Sequence, residues 1–118
     1  MKYYKYLYTS DNITKVDKLK AKLNLHKGMI NIYLISLCPG TDQLEIMEAY
    51  YLKLKYYREH PPVVVGLAKG KDKAVDLVVQ MMNESMEKTG YADIKEYLKL
   101  RVRTKDFTKN ADGYTNNS

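Results

Sequence analysis

The sequence predicts one small α/β domain in which three parallel strands alternate with three helices, in the order βαβαβα, with a short fourth helix after them. Three observations support this fold class. Short runs rich in tyrosine or β-branched residues alternate with segments whose apolar residues recur at helical spacing. The chain of 118 residues, 45% of them hydrophobic, is long enough for one core without disulfides. Glycine and proline separate the segments, at Gly28, Pro39, Gly40, Pro61, Pro62 and Gly90.

The domain is expected to comprise residues 1–103, with two or three layers. Residues 104–118 are polar and rich in asparagine, and they lack a periodic apolar pattern. A segment of this kind cannot bury enough apolar surface to offset the entropy of ordering. The sequence therefore predicts a disordered tail over residues 104–118.

The first strand is predicted at residues 3–8, because tyrosine is enriched in strands and the run has no helical period. Residues of the helix N-cap type follow at positions 9–12. The next segment predicts an amphipathic helix that ends at Gly28, where glycine can adopt the left-handed cap. Its apolar face has residues three and four apart, namely Ile13, Val16, Leu19 and Leu23.

The second strand is predicted at residues 29–38, which are apolar with little alternation. That pattern is typical of a central strand in a parallel sheet, covered on both faces. A second helix is predicted over residues 42–59, because Asp42 and Glu45 have capping-box spacing and two prolines after His60 end it. Its inward face would consist of Leu44, Met47, Tyr51 and Leu54.

A third strand is predicted at residues 62–68, followed by a helix over residues 72–88 that Gly90 closes and a short last helix at residues 93–101. The inward face of the third helix would consist of Val75, Val78, Met82 and Met86. This βαβαβα(α) order resembles half of a doubly wound, Rossmann- or flavodoxin-like sheet. The resemblance implies parallel strands joined by right-handed crossovers.

The three turns that follow the strands are the predicted ligand site. In open parallel sheets, ligands bind outside the carboxyl ends of the strands, where the N-termini of helices present free N–H groups. A small anionic ligand is the class that this arrangement favours. The predicted site residues are Ser10, Cys38, Thr41, Gly66, Lys69, Gly70 and Lys71.

Signatures of known chemistry at these turns are incomplete. The turn from Gly66 to Asp72 resembles the nucleotide phosphate loop G-x-x-x-x-G-K-[ST], but it is one spacer short and has Asp72 where the Mg²⁺-binding hydroxyl should be. Residues 7–15 are similar to the phosphate loop of flavodoxins, with hydroxyls at Ser10 and Thr14 but without its glycine.

Nucleophilic and metal chemistry also lack partners in the sequence. Small tyrosine phosphatases have a C-x5-R motif, but Leu44 stands six positions after Cys38, where the arginine should be. Because the sequence has a single cysteine, it also lacks the second thiol that a dithiol redox site needs. Neither His26 nor His60 has a partner at metal-ligand spacing. The sequence therefore predicts no catalytic residue, no metal and no cofactor, and it favours a non-enzyme, with an enzyme as the alternative.

Tyrosine is the most unusual feature of the composition, with twelve residues against one Phe and no Trp. Tyr50, Tyr51, Tyr56 and Tyr57 occupy more of the predicted second helix than one core-facing stripe needs. Tyrosine combines an apolar ring with a polar tip, which suits a surface that a partner covers. We therefore predict these four residues as an interface in a homo-oligomer, with half-buried packing as the alternative.

The formal charge of +6 raises nucleic-acid binding as a further alternative, through the lysines of the first helix and the basic residues between 95 and 109. The remaining helices are near neutral, which favours solvated surface instead. A single cysteine, no signal peptide and no long apolar run predict a cytoplasmic protein without membrane contact. The leading hypothesis is a non-catalytic interaction module that self-associates.

Overall fold

The computed structural model describes residues 1–25, 27, 29–37, 43–90, 93–105 and 114–116. The elements in chain order are β1 (Lys2–Thr9), α1 (Val16–Asn24), β2 (Ile32–Leu37), β3 (Leu44–Glu48), a 3-10 helix (Ala49–Lys53), α2 (Lys55–Glu59), β4 (Val63–Lys69), α3 (Lys71–Thr89), α4 (Ile94–Lys105) and β5 (Tyr114–Asn116). No helix within these ranges is both long and apolar enough to cross a bilayer.

The sheet is mixed, so the predicted three-stranded parallel sheet of Rossmann or flavodoxin type is wrong. Four strands lie in the order β3-β2-β4-β1, and the three-residue β5 pairs antiparallel with the outer side of β1. Among the described strands, only β1 and β4 are parallel neighbours, whereas β2 runs antiparallel to both of its neighbours. In its register with β4, Ile32 lies beside Lys69 and Leu37 beside Val63.

The predicted direction of β2 is wrong because an apolar pattern indicates burial on both faces but does not specify strand direction. Leu34 packs on one face of the sheet and Ile35 on the other, and both are fully buried. Such a strand is continuously apolar whether its neighbours are parallel or antiparallel.

The predicted second helix is also wrong. Residues 44–59 form β3, the 3-10 helix and the short α2. Leu44, Met47 and Tyr51 satisfy a helical period, but Leu44 and Ile46 on either side of Glu45 also satisfy the strand period. The strand forms because β2 pairs with this segment from Leu37↔Leu44 to Tyr33↔Glu48 and satisfies its backbone groups.

Two cores lie on opposite faces of the sheet. The α3 core is covered by α3 and α4, and the α1 core is covered by α1 and the 3-10 helix. The buried residues of the α3 core are Tyr4, Tyr8, Ile35, Val65, Ala68, Ala74, Leu77, Met81, Ile94, Tyr97 and Leu98. Those of the α1 core are Tyr3, Leu23, Leu34, Met47, Ala49, Leu52, Val64 and Leu67. Adjacent strand residues thus divide between the two cores.

The structure confirms the predicted strand at residues 62–68 and the helix at residues 72–88, each within one or two residues. Gly90 caps α3 in the left-handed conformation, with φ of 82°, and its N–H donates to the carbonyl of Met86 at 3.0 Å. The last helix is also present as α4. Of the predicted tail, residues 106–113 and 117–118 lie outside the described residues.

The predicted inward face of α3 is wrong for two of its four residues, because Val78 and Met82 do pack against the α3 core. The helix buries Ala74, Leu77, Met81 and Ser85, whereas Val75 and Met86 are exposed. Two adjacent stripes of this helix are apolar, so the sequence pattern did not decide between them. The stripe with the small residues Ala74 and Ser85 faces the sheet, which lets the helix approach closely.

A bulge in β4 explains the glycine in that strand. Ile35 pairs with Gly66 and Ser36 pairs with Val64, so Val65 is an extra residue on β4. A Cβ on Gly66 would lie 3.0 Å from Cδ1 of Ile35 and 3.4 Å from Cε of Met81. The α3 core therefore has little room for a side chain at this position.

Candidate functional site

The adjacent carboxyl ends of β1 and β4 bring part of the predicted ligand site together. Because these two strands are parallel neighbours, Ser10 lies beside the end of β4. The Ser10 N–H donates to the carbonyl of Leu67 and the Lys69 N–H donates to Oγ of Ser10, both at 3.0 Å. Lys69, Gly70 and Lys71 then lead directly into α3.

The Ser10 hydroxyl is engaged by its protein neighbours both as a donor and as an acceptor. Besides accepting from Lys69, it donates to Oδ1 of Asn12 at 2.6 Å. Nδ2 of Asn12 in turn donates to the carbonyl of Lys69 at 3.0 Å. This closed ring of hydrogen bonds joins the two strand ends, and Ser10 is buried. The Ser10 hydroxyl therefore has a structural role, and we call this ring of hydrogen bonds a structural lock because it holds the ends of β1 and β4 together.

The charges around this strand end have both signs. The side chains of Lys69 and Lys71 are exposed at the start of α3. Asp72 stands in the first turn of the helix, and Nζ of Lys73 lies 3.0 Å from Oδ1 of Asp11. Acidic side chains interact favourably with the positive end of the helix dipole, as a bound anion does. They therefore compete with a negatively charged ligand.

Only one of the other predicted ligand residues lies within the described part of the chain, and it is not at this end. Gly66 is buried inside β4 against Ile35 and Met81, and Cys38 and Thr41 lie outside the described residues. The described end of β2, at Leu37, lies beside Val63 at the start of β4. The expectation of one shared edge depended on three parallel strands, and the antiparallel β2 removes that premise.

A carboxylate shared by two tyrosines is a feature that the sequence interpretation missed. Oε1 of Glu84 on α3 accepts a hydrogen bond from the Tyr8 hydroxyl at 2.6 Å and from the Tyr97 hydroxyl at 3.0 Å. Oε2 accepts from Nε2 of Gln80 at 3.1 Å. The three elements β1, α3 and α4 thus meet at one side chain.

A cation lies next to this carboxylate. The guanidinium carbon of Arg101 on α4 lies 4.9 Å from the ring centroid of Tyr8, 5.3 Å from Tyr6 and 5.9 Å from Tyr4. The Tyr4 hydroxyl donates to the carbonyl of Leu98 at 2.7 Å. Arginine stacked on tyrosine faces gains a cation–π attraction that burial strengthens.

Burial and these contacts shift the pKa values in the cluster. Burial, followed by the hydrogen bond to Glu84, raises the pKa of Tyr8 and of Tyr97. Partial burial by itself would raise the pKa of Glu84. The hydrogen bonds from Tyr8, Gln80 and Tyr97 and the charge of Arg101 together outweigh burial and hold that pKa below its ordinary value.

The cluster was missed because its members lie far apart in the chain. The one local signal is the period of two in Tyr4, Tyr6 and Tyr8, which places three tyrosines on the same face of β1. A carboxylate that accepts three hydrogen bonds is already engaged, and this arrangement anchors helices to the sheet.

The segment of residues 50–57, which we call the tyrosine segment, carries the predicted interface residues. The exposed fractions are 41% for Tyr50, 46% for Tyr51 and 61% for Tyr56, and Leu54 between them is 48% exposed. Tyr57 is half-buried and packs against the α1 core. The structure thus brings four large apolar side chains to the surface within seven residues.

A second exposed apolar surface lies on α3. Val75, Val79 and Met86 are 43%, 51% and 50% exposed, and the half-buried Met82 lies between them at helical spacing. We call these four residues the α3 stripe. Three of its members, Val75, Met82 and Met86, belong to the inward face predicted from the sequence, whereas Val79 does not.

Metal binding has no support in the part of the chain that the structure describes, where no three His, Cys, Asp or Glu side chains converge. Comparison with protein-family models, with characterised proteins and with solved structures finds no match for this chain. The geometry of the described residues is therefore the basis for a functional proposal.

Proposed function

We propose that this protein is a non-catalytic interaction module that self-associates in the cytosol. The observation that carries the proposal is the exposure of Tyr50, Tyr51, Leu54 and Tyr56 within one short segment. Contiguous large apolar side chains on a surface are typical of protein interaction sites. The cytosolic location is supported by the use of a single cysteine.

The tyrosine segment has the chemistry of an interface core. Tyrosine contributes a large rigid contact area at low entropic cost, and its hydroxyl can remain hydrated when the surface is free. The ring pairs Tyr50–Tyr51 and Tyr56–Tyr57 are edge-to-face, with centroids 5.8 Å and 5.0 Å apart. These contacts hold the exposed rings in place before a partner arrives, which lowers the cost of binding.

Sedimentation velocity over a concentration series tests self-association. The wild-type chain is expected to sediment faster as its concentration rises, and the double variant Tyr51→Ser, Tyr56→Ser to do so less. Leu25→Ser is the matched control, because Leu25 is 68% exposed but lies outside the tyrosine segment. A wild-type chain that stays monomeric at every concentration would exclude the proposal.

Anion binding at the β1–β4 end is the second candidate. It is favoured by the parallel pairing, which places Ser10 beside Lys69 and the N-terminus of α3. Inorganic phosphate should then raise the melting temperature of the wild type, and Lys71→Ala should reduce that rise. Lys18→Ala on α1 is the control. An equal response to phosphate in all three chains would exclude this site.

A further inference from the structure

We infer that the tyrosine segment of one copy docks on the α3 stripe of a second copy, so that copies associate head to tail. This inference rests on the proposed self-association and names the two surfaces that meet. It makes the contact heterologous, with different surfaces on the two partners.

The two surfaces cannot meet within one copy, because they lie on opposite sides of the sheet. Ala49 and Leu52 anchor the 3-10 helix, and with it the tyrosine segment, in the α1 core. Leu77 and Met81 anchor α3 in the α3 core. Each copy therefore offers one surface of each kind to its neighbours.

The charges beside the tyrosine segment are mainly positive. Lys53, Lys55 and Arg58 are exposed in or next to the segment, and Glu59 opposes them, with its Oε1 3.8 Å from Nζ of Lys55. Nζ of Lys53 lies 3.7 Å from the ring centroid of Tyr50. A basic border thus lies against the exposed rings.

The charges beside the α3 stripe are mainly negative. Asp72 precedes Val75 by three residues and Asp76 precedes Val79 by three, so both carboxylates lie on one flank of the stripe. Glu87 continues this flank next to Met86, and all three carboxylates are exposed. Lys71 adds one cation at the N-terminal end. The two apolar surfaces therefore have complementary borders.

The side chains of the two surfaces also suit each other chemically. Methionine sulfur makes favourable contacts with aromatic rings, and Met82 and Met86 would meet the tyrosines. The tyrosine hydroxyls can donate to the carboxylates of Asp76 and Glu87 at the border. An apolar centre with a polar, charge-matched rim is the usual anatomy of a protein interface.

Contact between two α3 stripes is the main competing arrangement. The spacing of Val75, Val79, Met82 and Met86 by four, three and four residues also fits a helix–helix seam. In an antiparallel pair, however, the acidic flank of one copy would face the acidic flank of the other. Like charges at an interface suppress association, so we favour the oppositely charged tyrosine segment.

Charge reversal on each surface, followed by mixing, tests the inference. One variant carries Lys53→Glu and Arg58→Glu, and the other carries Asp76→Lys and Glu87→Lys. All four positions are exposed, and circular dichroism checks that both variants fold. Each variant alone should self-associate at least about tenfold more weakly than the wild type. An equimolar mixture should recover association, because opposite charges face each other again at both contacts.

The possible results separate the inference from the proposed function. If the wild type associates but the mixture of variants does not recover, the head-to-tail contact is excluded and self-association stands. If only Asp76→Lys, Glu87→Lys changes association, a contact between α3 stripes replaces it. A wild type that is monomeric throughout the concentration series overturns both. Sedimentation velocity at matched total concentration is the measurement in every case.

Discussion

The hydroxyl of Tyr8 donates a 2.6 Å hydrogen bond to the carboxylate of Glu84, joining β1 to α3 across 76 residues of chain. Tyr97 on α4 donates to the same oxygen, and Arg101 supplies a positive charge nearby. One partly buried carboxylate therefore fixes two helices on the sheet. The consequences for stability can be measured.

Tyr8→Phe should destabilise the protein by about 1.5–3 kcal/mol, the usual range for a hydrogen bond to a charged group. The ring remains in the α3 core. The loss of stability therefore reports the missing hydroxyl and the Glu84 oxygen that no longer accepts its hydrogen bond. Urea unfolding gives the free energy. Tyr56→Phe removes a hydroxyl from an exposed ring and serves as the control. Equal stability of both variants would show that the Glu84 contact contributes nothing.

Glu84→Gln should remove a pH-dependent part of the stability. The pKa of Glu84 is lowered in the folded state, so on acidification the unfolded chain takes up its proton first. The stability that this carboxylate contributes is thus present above its unfolded pKa of about 4.3 and disappears as the pH falls through the folded pKa. The difference in unfolding free energy between wild type and variant should therefore shrink in acid. A difference that is constant with pH contradicts this assignment.

Gly66→Ala should destabilise the protein by about 1–3 kcal/mol, because the new methyl group would press on Ile35 and Met81. Ile35→Val removes the Cδ1 atom that lies nearest. In the double variant the cost should be smaller than the sum of the two single costs. Thermal unfolding of all four chains completes the cycle. If the costs of the two single variants were additive, the contact with Cδ1 of Ile35 would not be the source of the strain.

Ser10→Ala should lower the free energy of unfolding by about 1–2 kcal/mol, because Lys69 N–H and the Asn12 side chain lose their partner. The loss should be the same with and without inorganic phosphate if the ring of hydrogen bonds is a structural lock. Thr14→Ala removes an exposed hydroxyl nearby and is the control. Stabilisation by phosphate in the wild type alone would instead make Ser10 a ligand group.

Elements with strong local signals could be predicted from the sequence. Strand β4 is a β-branched run between Pro62 and Gly70, and α3 is a long amphipathic segment that Gly90 ends. Proline and glycine act through their own backbone geometry, so their effect does not depend on distant residues. The tyrosine segment is likewise visible in the sequence, because four of the twelve tyrosines lie within residues 50–57.

Other features of the fold depend on contacts between residues that are far apart in the chain. Residues 44–48 fit both a helical and a strand period, and the pairing edge of β2 selected the strand. The direction of β2 could not be read from Leu34 and Ile35, because both faces of the sheet are buried. The Glu84 cluster joins β1, α3 and α4, which no local pattern connects.

The sequence by itself therefore determined the bounds of β1, β4 and α3 within one or two residues, and it showed which segments are apolar. Only the tertiary structure decided which of the two apolar stripes of α3 is buried, and that choice left Val75, Val79 and Met86 at the surface. The physical reason is that local periodicity specifies a face of a helix but not its neighbour. Burial is decided by close packing against the sheet, where Ala74 and Ser85 fit.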